Sequence, residues 1–338
     1  MLRRWTISAS FLLGLFCSLG QGQTTIHGAG STFVYPIMAK WAEEYHKTHP
    51  EIQISYLPNG SGAGIGLTLS GMLDFGGTDA PVSDAQLAKA AVKVIHFPVI
   101  LGADVPAYNL PEVQTQLRFS GPVLADIFLG KIKNWDDPAI AANNPGVRLP
   151  NKSIMVVHRQ DGSGTTYIWV DYLSKVSPEW KSRVGKGTSV KWPVGAEANG
   201  NEGVSEAIRN TPGALGYIEL SYAEKKKIAF GSVLNADGAF ISASVSGIEE
   251  AASSLKEIPA DFRVSISNAV GKNAYPIASF SWVLVPNRPH DAATRKILME
   301  FLAWAISEGQ HFAEDLYYSP LPRDLTARIN SGMLAQAR

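Results

Sequence analysis

Apolar and polar positions in the first hundred residues repeat one order: strand, glycine turn, helix. Thr24-Thr25-Ile26-His27 reads as a strand running into Gly28-Ala29-Gly30, and Ser31-Thr32 stand where a helix cap belongs. Val34, Ile37, Met38, Trp41 and Tyr45 follow at i, i+3, i+4, i+7 and i+11, which predicts an amphipathic helix with Pro36 in its first turn and Pro50 beyond its end. Ile52-Gln53-Ile54-Ser55-Tyr56 alternates as a strand. Asn59-Gly60-Ser61-Gly62-Ala63-Gly64 is a second glycine turn leading into a short helix. Asp74-Phe75-Gly76-Gly77-Thr78-Asp79 reads as a strand end with an acid at its tip, and His96–Leu101 as a further strand.

The order returns at Ile154-Met155-Val156-Val157, a short buried strand, followed by Arg159-Gln160-Asp161-Gly162-Ser163-Gly164-Thr165-Thr166. Tyr167 to Leu173 then carries apolar residues at helical spacing. Between these blocks, Gly130 to Pro138 is a turn between helices with Trp135 as a packing residue, and Gly213 to Ile218 is a turn into a strand. Residues 232 to 250 are small and polar, the composition of a surface excursion. Phe280 to Val285 reads as a strand. Ala292 to Ala305 reads as a long helix with Ile297, Leu298, Phe301, Leu302 and Ala305 on one face. Alternating strands and helices predict an α/β architecture, whose ligands gather outside the carboxyl ends of the strands. Early and late strands around a middle block suggest a chain that leaves one domain and returns to it.

The Arg159–Thr166 stretch carries the clearest candidate chemistry. The first turn of a helix has unpaired N–H donors and a partial positive charge, and so favours an anion. Gly162 and Gly164 allow close approach, Ser163 and Thr165 add hydroxyls, and Arg159 adds a planar fork of donors. Two readings of this segment stand: an oxyanion cradle, or an ordinary capped helix with Arg159 paired to Asp161.

Composition narrows the classes. The 338 residues suffice for two domains, with 45% hydrophobic and 18% charged residues. Arg3 and Arg4, the apolar Phe11–Phe16 and the small-residue exit Ser18–Gly22 form a secretory signal peptide, residues 1–22, too short for a membrane span. Its Cys17, the sole cysteine, follows Phe16 rather than a small residue, so cleavage to a soluble exported protein is expected rather than lipid attachment. The mature chain then uses no disulfide. Removing Arg3 and Arg4 turns 30 basic against 30 acidic residues into 28 against 30. No basic run exceeds Lys225-Lys226-Lys227, a solvated helix end, so nucleic acid is not an expected partner. Starting G-x-G at Gly60, Gly62 or Gly64 puts Ile65, Leu67 or Leu69 where a dinucleotide site needs its third glycine; no P-loop occurs, and Ser61 and Ser163 lack the G-x-S-x-G frame. His46 and His49 have no third metal ligand beside them.

Six motifs in order then carry a resemblance over essentially the whole mature chain. They are Gly28-Ala29-Gly30-Ser31-Thr32-Phe33, Asp74 to Pro81, Gly130 to Asp137, Arg159 to Thr165, Asn199-Gly200-Asn201-Glu202-Gly203-Val204 and Pro212 to Tyr217. The chain resembles the bacterial periplasmic phosphate-binding proteins, receptors of the high-affinity phosphate ABC transporter. Residues 232 to 274 match less obviously. The resemblance implies an α/β fold of the periplasmic binding protein type II: two α/β lobes joined by two crossing strands, with the ligand in the cleft. Lobe I would comprise residues 23–109 and 281–338, lobe II residues 110–280. Phosphate contacts would come from Thr32, Phe33, Ser61 and Asp79 in the first lobe and from Arg159, Ser163, Gly164 and Thr165 in the second, with Asp161 behind Arg159. The resemblance also implies a membrane permease as partner; a monomer with no cofactor and no metal is expected. Asp79 is the discriminating piece: an ionised carboxylate only accepts hydrogen bonds, so it selects a ligand that still carries a proton. Hydrogen phosphate does and sulfate does not. The alternatives are a receptor for sulfate, molybdate or tungstate and, from another class, a secreted phosphatase or esterase, for which no activated nucleophile or metal pair is evident.

Overall fold

A computed structural model describes residues 23–287 and 292–337; the expected signal peptide and Cys17 lie outside the described residues. The chain opens with strand β1 (Thr24–Gly30) and helix α1 (Tyr35–Thr48), which buries Ile37, Met38, Trp41 and Tyr45 as the spacing predicts. Ser31 is not the helix cap. Val34 holds that position, and the Ser31 hydroxyl instead accepts the N–H groups of Phe33 and Val34 at 3.0 and 3.2 Å, closing the turn before the helix. Strand β2 (Ile52–Leu57), helix α2 (Ser61–Leu69) and strand β3 (Phe75–Thr78) follow. After a single helical turn, α3 (Asp84–Leu87), the strand expected at His96–Leu101 extends to fifteen residues, β4 (Val94–Tyr108).

The middle block contains β5 (Arg118–Phe119), α4 (Gly121–Phe128) and α5 (Pro138–Asn143). Trp135 lies fully buried between these helices and donates its ring N–H to the Gly213 carbonyl at 2.9 Å. Strand β6 (Met155–Arg159) leads into α6 (Gly164–Val176), then α7 (Pro178–Arg183), β7 (Ala196–Ala198), α8 (Gly200–Asn210), β8 (Ala214–Glu219) and α9 (Leu220–Lys226).

Residues 232–250 are exposed at Ala236, Asp237, Gly238, Ser242, Ser244, Ser246 and Glu249, as a surface excursion would be, but they carry regular structure that the sequence did not show. They form β9 (Ser232–Leu234), β10 (Phe240–Ile241) and α10 (Val245–Ser253), with β9 and β10 making a three-stranded sheet with β5. Val233 and Ile248 are fully buried, and Asn235 ties the turn to the carbonyls of Gly271 and Lys272 at 3.0 and 3.1 Å. Ser232 and Gly247 are buried there, while Ala236, Gly238, Ser242, Ser244 and Ser246 stay exposed; just beyond, Ala251 and Ala252 bring α10 against the sheet.

Strand β11 (Ala278–Pro286) returns the chain to the centre before α11 (Ala292–Ala305) and α12 (Arg323–Ala337). The main sheet has eight strands in the order β2-β1-β3-β11-β4-β8-β6-β7. The βαβ units around it pair in parallel, β1 with β2 and β3, and β6 with β7 and β8; β4 and β11 run antiparallel to their neighbours. β4 is bonded to β11 from Val94 to Ala103 and to β8 from Asp104 to Tyr108, so one strand carries both halves of the sheet. Among the described residues no helix is long and apolar enough to cross a membrane. His46 and His49 are engaged with backbone carbonyls, those of Ile52 and Tyr45.

Candidate functional site

Four helices begin around one point, at the carboxyl ends of β1, β6 and their neighbours. The turn before α1, Ser31 to Val34, lies against the start of α8, where the Asn201 N–H donates to the Thr32 hydroxyl at 3.2 Å. The start of α2 meets the turn before α6, where the Gly62 N–H donates to the Gly162 carbonyl at 2.8 Å. Each first turn leaves N–H donors without helical acceptors, so their partial positive charges add at this point. Glycine is required for the approach. Gly60 adopts φ +95°, and a Cβ there would fall 2.4 Å from an Asp161 carboxyl oxygen. A Cβ on Gly164 would fall 2.3 Å from Asp79 Oδ2 and 2.5 Å from Ser61 Oγ.

Asp79, fully buried at the tip of β3, is the centre of this arrangement. Its Oδ1 accepts the Ser281 hydroxyl at 2.6 Å, and its Oδ2 accepts Ser31 at 2.5 Å and Ser61 at 3.2 Å. Burial pushes its pKa up to about 6, against the pull of these three hydroxyls and of the Arg159 charge. Facing it is Arg159, the one buried guanidinium or ammonium among the described residues. Its Nε donates to Asp161 Oδ1 at 2.7 Å, Nη2 closes the second arm of the fork on Asp161 Oδ2, and Nη1 reaches Thr165 Oγ1 at 3.1 Å. The pairing of the second reading is present: the arginine is bonded to Asp161, and it still turns one nitrogen toward the helix start. Burial opposes ionisation of Asp161, but the Arg159 bonds and charge outweigh it and hold its carboxyl below the usual range. Ser163 caps α6 by accepting the Thr166 N–H at 3.0 Å.

Thr32, Ser61, Asp79, Arg159, Ser163, Gly164 and Thr165 thus converge on one place. Phe33 joins them only through its main chain: its ring is fully buried edge-on to Tyr318, with centroids 6.4 Å apart. Three contributors escaped the sequence reading. Ser31 and Ser281 supply two of the three hydroxyls on Asp79. Asn201 donates from its side chain to the hydroxyls of both Thr32 and Thr165, each at 3.0 Å, and so joins the two sides. Ser281 had a visible signal, a serine in an otherwise apolar strand beside Ser279. Asn201 lay within a recognised motif, but nothing in its spacing showed that it reaches both threonines. A cavity of about 680 Å³ opens beside the cluster, lined by Thr32, Tyr35, Asp161, Gly200 and Tyr222 among others, while Ser61, Asp79 and Ser163 are sealed beneath it.

Such an arrangement can hold a small anion bearing at least one proton: converging N–H dipoles and a guanidinium satisfy its oxygens, and a carboxylate accepts its hydrogen. Comparison with known proteins agrees with this chemistry. A family model described as the PBP superfamily domain matches residues 18–309. The chain is 42% identical over 308 residues to the phosphate-binding protein PstS of Xylella fastidiosa strain Temecula1, covering 90% of this chain and 84% of that one. It is 41% identical over 324 residues to the protein of the same name from Pasteurella multocida, covering 95% and 93%. Among solved structures, a putative phosphate ABC transporter substrate-binding protein from Clostridium perfringens superposes with a TM-score of 0.66 at 17% identity, covering 88% of this chain and all of that one. A human phosphate binding apolipoprotein reaches 0.71 at 19% identity, covering 90% and 93%. With these likenesses along nearly its whole length, the chain belongs to the PstS family of phosphate-binding proteins within the PBP superfamily.

Proposed function

We propose that this chain binds inorganic phosphate outside the cytoplasm and delivers it to an inner-membrane ABC permease. The observation that carries the reading is Asp79: a buried carboxylate held by three serine hydroxyls, set opposite the only buried guanidinium among the described residues. That pairing suits a tetrahedral anion that both accepts and donates hydrogen bonds. The ligand contacts would come from Thr32, Ser61, Asp79, Arg159, Ser163, Gly164, Thr165 and the Phe33 main chain, with Asp161 fixing the arginine fork. Lobe I would comprise residues 23–109 and 281–338 and lobe II residues 110–280, with β4 and β11 as the crossing strands about which the cleft closes. The chain acts as a monomeric receptor without catalysis, exported by a cleaved signal peptide.

Calorimetric titration of the ligand-stripped protein with phosphate, sulfate, molybdate and tungstate tests this. Phosphate is expected to bind far more tightly than the others at neutral pH; equal affinity for phosphate and sulfate would remove Asp79 from the recognition and favour a general oxyanion receptor. Turnover of a chromogenic phosphate ester would replace the receptor reading by a hydrolytic one.

A further inference from the structure

A second acid beneath the site has no partner. Both carboxyl oxygens of Asp104 are buried with no hydrogen-bond partner among the described residues, and the residue is fully buried. Its orientation follows from its strand. Side chains two apart on a strand share a face, and a Cβ on Gly102 would meet the Phe33 ring at 2.5 Å, so this face of β4 carries the turn that opens α1. Across the ladder Asp104 stands opposite Glu219, and paired residues project to the same side. Glu219 accepts from the Tyr318 hydroxyl at 3.3 Å, and that hydroxyl also donates to the Phe33 carbonyl at 2.5 Å. Two residues earlier on β8, the Tyr217 hydroxyl lies 2.6 Å from Thr166 Oγ1 and accepts the Arg159 N–H at 3.1 Å. The Asp104 carboxyl therefore lies between the turn opening α1 and the turn opening α6, on the floor shared by the two sides of the anion site.

The titratable groups around it favour its neutral form. Burial is the largest cause, Asp79 and Glu219 add like charge, and Arg159 alone opposes them; its pKa is held well above the ordinary carboxyl range. Tyr217 and Tyr275 also face it, and Tyr275 donates its hydroxyl to the Asp104 carbonyl at 2.8 Å. A neutral carboxyl carries one O–H donor, and a buried donor without an acceptor is costly.

We propose that Asp104 is a further recognition residue of the anion site, donating a hydrogen bond from its protonated carboxyl to an oxygen of the bound phosphate. The proposal rests on the phosphate reading. The two acids then have opposite tasks: Asp79 accepts a hydrogen bond from the ligand, and Asp104 gives one.

Titration calorimetry near neutral pH with inorganic phosphate compares the parent with Asp104→Asn and Asp104→Val. Asparagine keeps an N–H donor and is expected to bind within a few-fold of the parent, whereas valine is expected to lose about 10- to 100-fold. Parent-like affinity in the valine variant, or equal losses in both variants, overturns the proposal. A parent that binds no phosphate sinks the functional reading instead, which the same titration shows separately. Infrared spectroscopy of the parent covers the case of a valine variant that does not fold. The protonated-carboxyl carbonyl band, assigned by its loss in Asp104→Asn, is expected to shift when phosphate is added, and an unmoved band overturns the proposal.

Discussion

On the proposed phosphate reading, burial sets how strongly Asp79 discriminates and how that discrimination varies with pH. A carboxylate that stayed ionised would exclude sulfate by roughly 10⁴–10⁵-fold, because two acceptors would face each other with no proton between them. Asp79, however, titrates near pH 6. At about pH 7.5 roughly one molecule in thirty carries it protonated, and at about pH 5 roughly nine in ten. A protonated Asp79 donates a hydrogen bond and so accommodates sulfate once one of its three serine hydroxyls turns away. A ligand that binds only a minor form loses affinity in proportion to that form's population, so this route costs sulfate about 30-fold, or about 2 kcal/mol, at about pH 7.5. Sulfate keeps its charge across this range and is the clean probe. Calorimetry is expected to show sulfate affinity rising about 30-fold between about pH 7.5 and about pH 5, tenfold per unit above pH 6 and flat below it. In Asp79→Asn that dependence should vanish and the preference for phosphate collapse. A flat sulfate profile in the parent, or an unchanged slope in the asparagine variant, would refute the reasoning.

Other perturbations test neighbouring parts. Arg159→Ala leaves Asp161 without its fork and removes one of the two donors on the Thr165 hydroxyl, so phosphate affinity measured by calorimetry should fall by about 2–5 kcal/mol. Arg159→Lys should recover only part of the loss, since an ammonium cannot span both Asp161 oxygens. Gly164→Ala places a methyl carbon 2.3 Å from Asp79 Oδ2; it should abolish phosphate binding and lower the melting temperature by overpacking, while circular dichroism stays near parental. Glu219, which burial raises to about 8 against the opposing bonds from Ser221 and Tyr318, binds its proton more tightly folded than unfolded. Stability of the ligand-free protein should therefore fall by several kcal/mol as pH rises from about 5 to 8, and Glu219→Gln should flatten the trend in denaturant unfolding. A parent that gains stability over that range would contradict the assignment.

Much of this was legible from the chain's periodicity. The strand–turn–helix order placed β1, β6, α1, α2 and α6, because apolar spacing and glycine punctuation report local conformation directly. The Arg159 segment carried residue types that suit an anion, and they suited an ordinary capped helix equally well. Ser31 and Asn201 stayed hidden for a common physical reason: each acts across more than forty residues of sequence, Ser31 on Asp79 and Asn201 on Thr32, and such contacts leave no local pattern. Residues 232–250 are mixed: Val233 and Ile248 are buried while Ala236, Gly238, Ser242, Ser244 and Ser246 are exposed, and composition alone does not separate the two.

The fifteen-residue strand β4 changes ladder partners between Ala103, paired with Ala278, and Asp104, paired with Glu219. Because that strand is covalently continuous and bonded on either side of the exchange, the halves of the molecule are coupled through a leaf spring rather than a slack tether. Movement between them must then be taken up as extra twist or bend near the exchange point, with both ladders intact. On the proposed lobe closure, the stiffness of that short length of backbone, which holds Asp104 itself, would join that of β11 in setting the restoring force against which a guest has to pull.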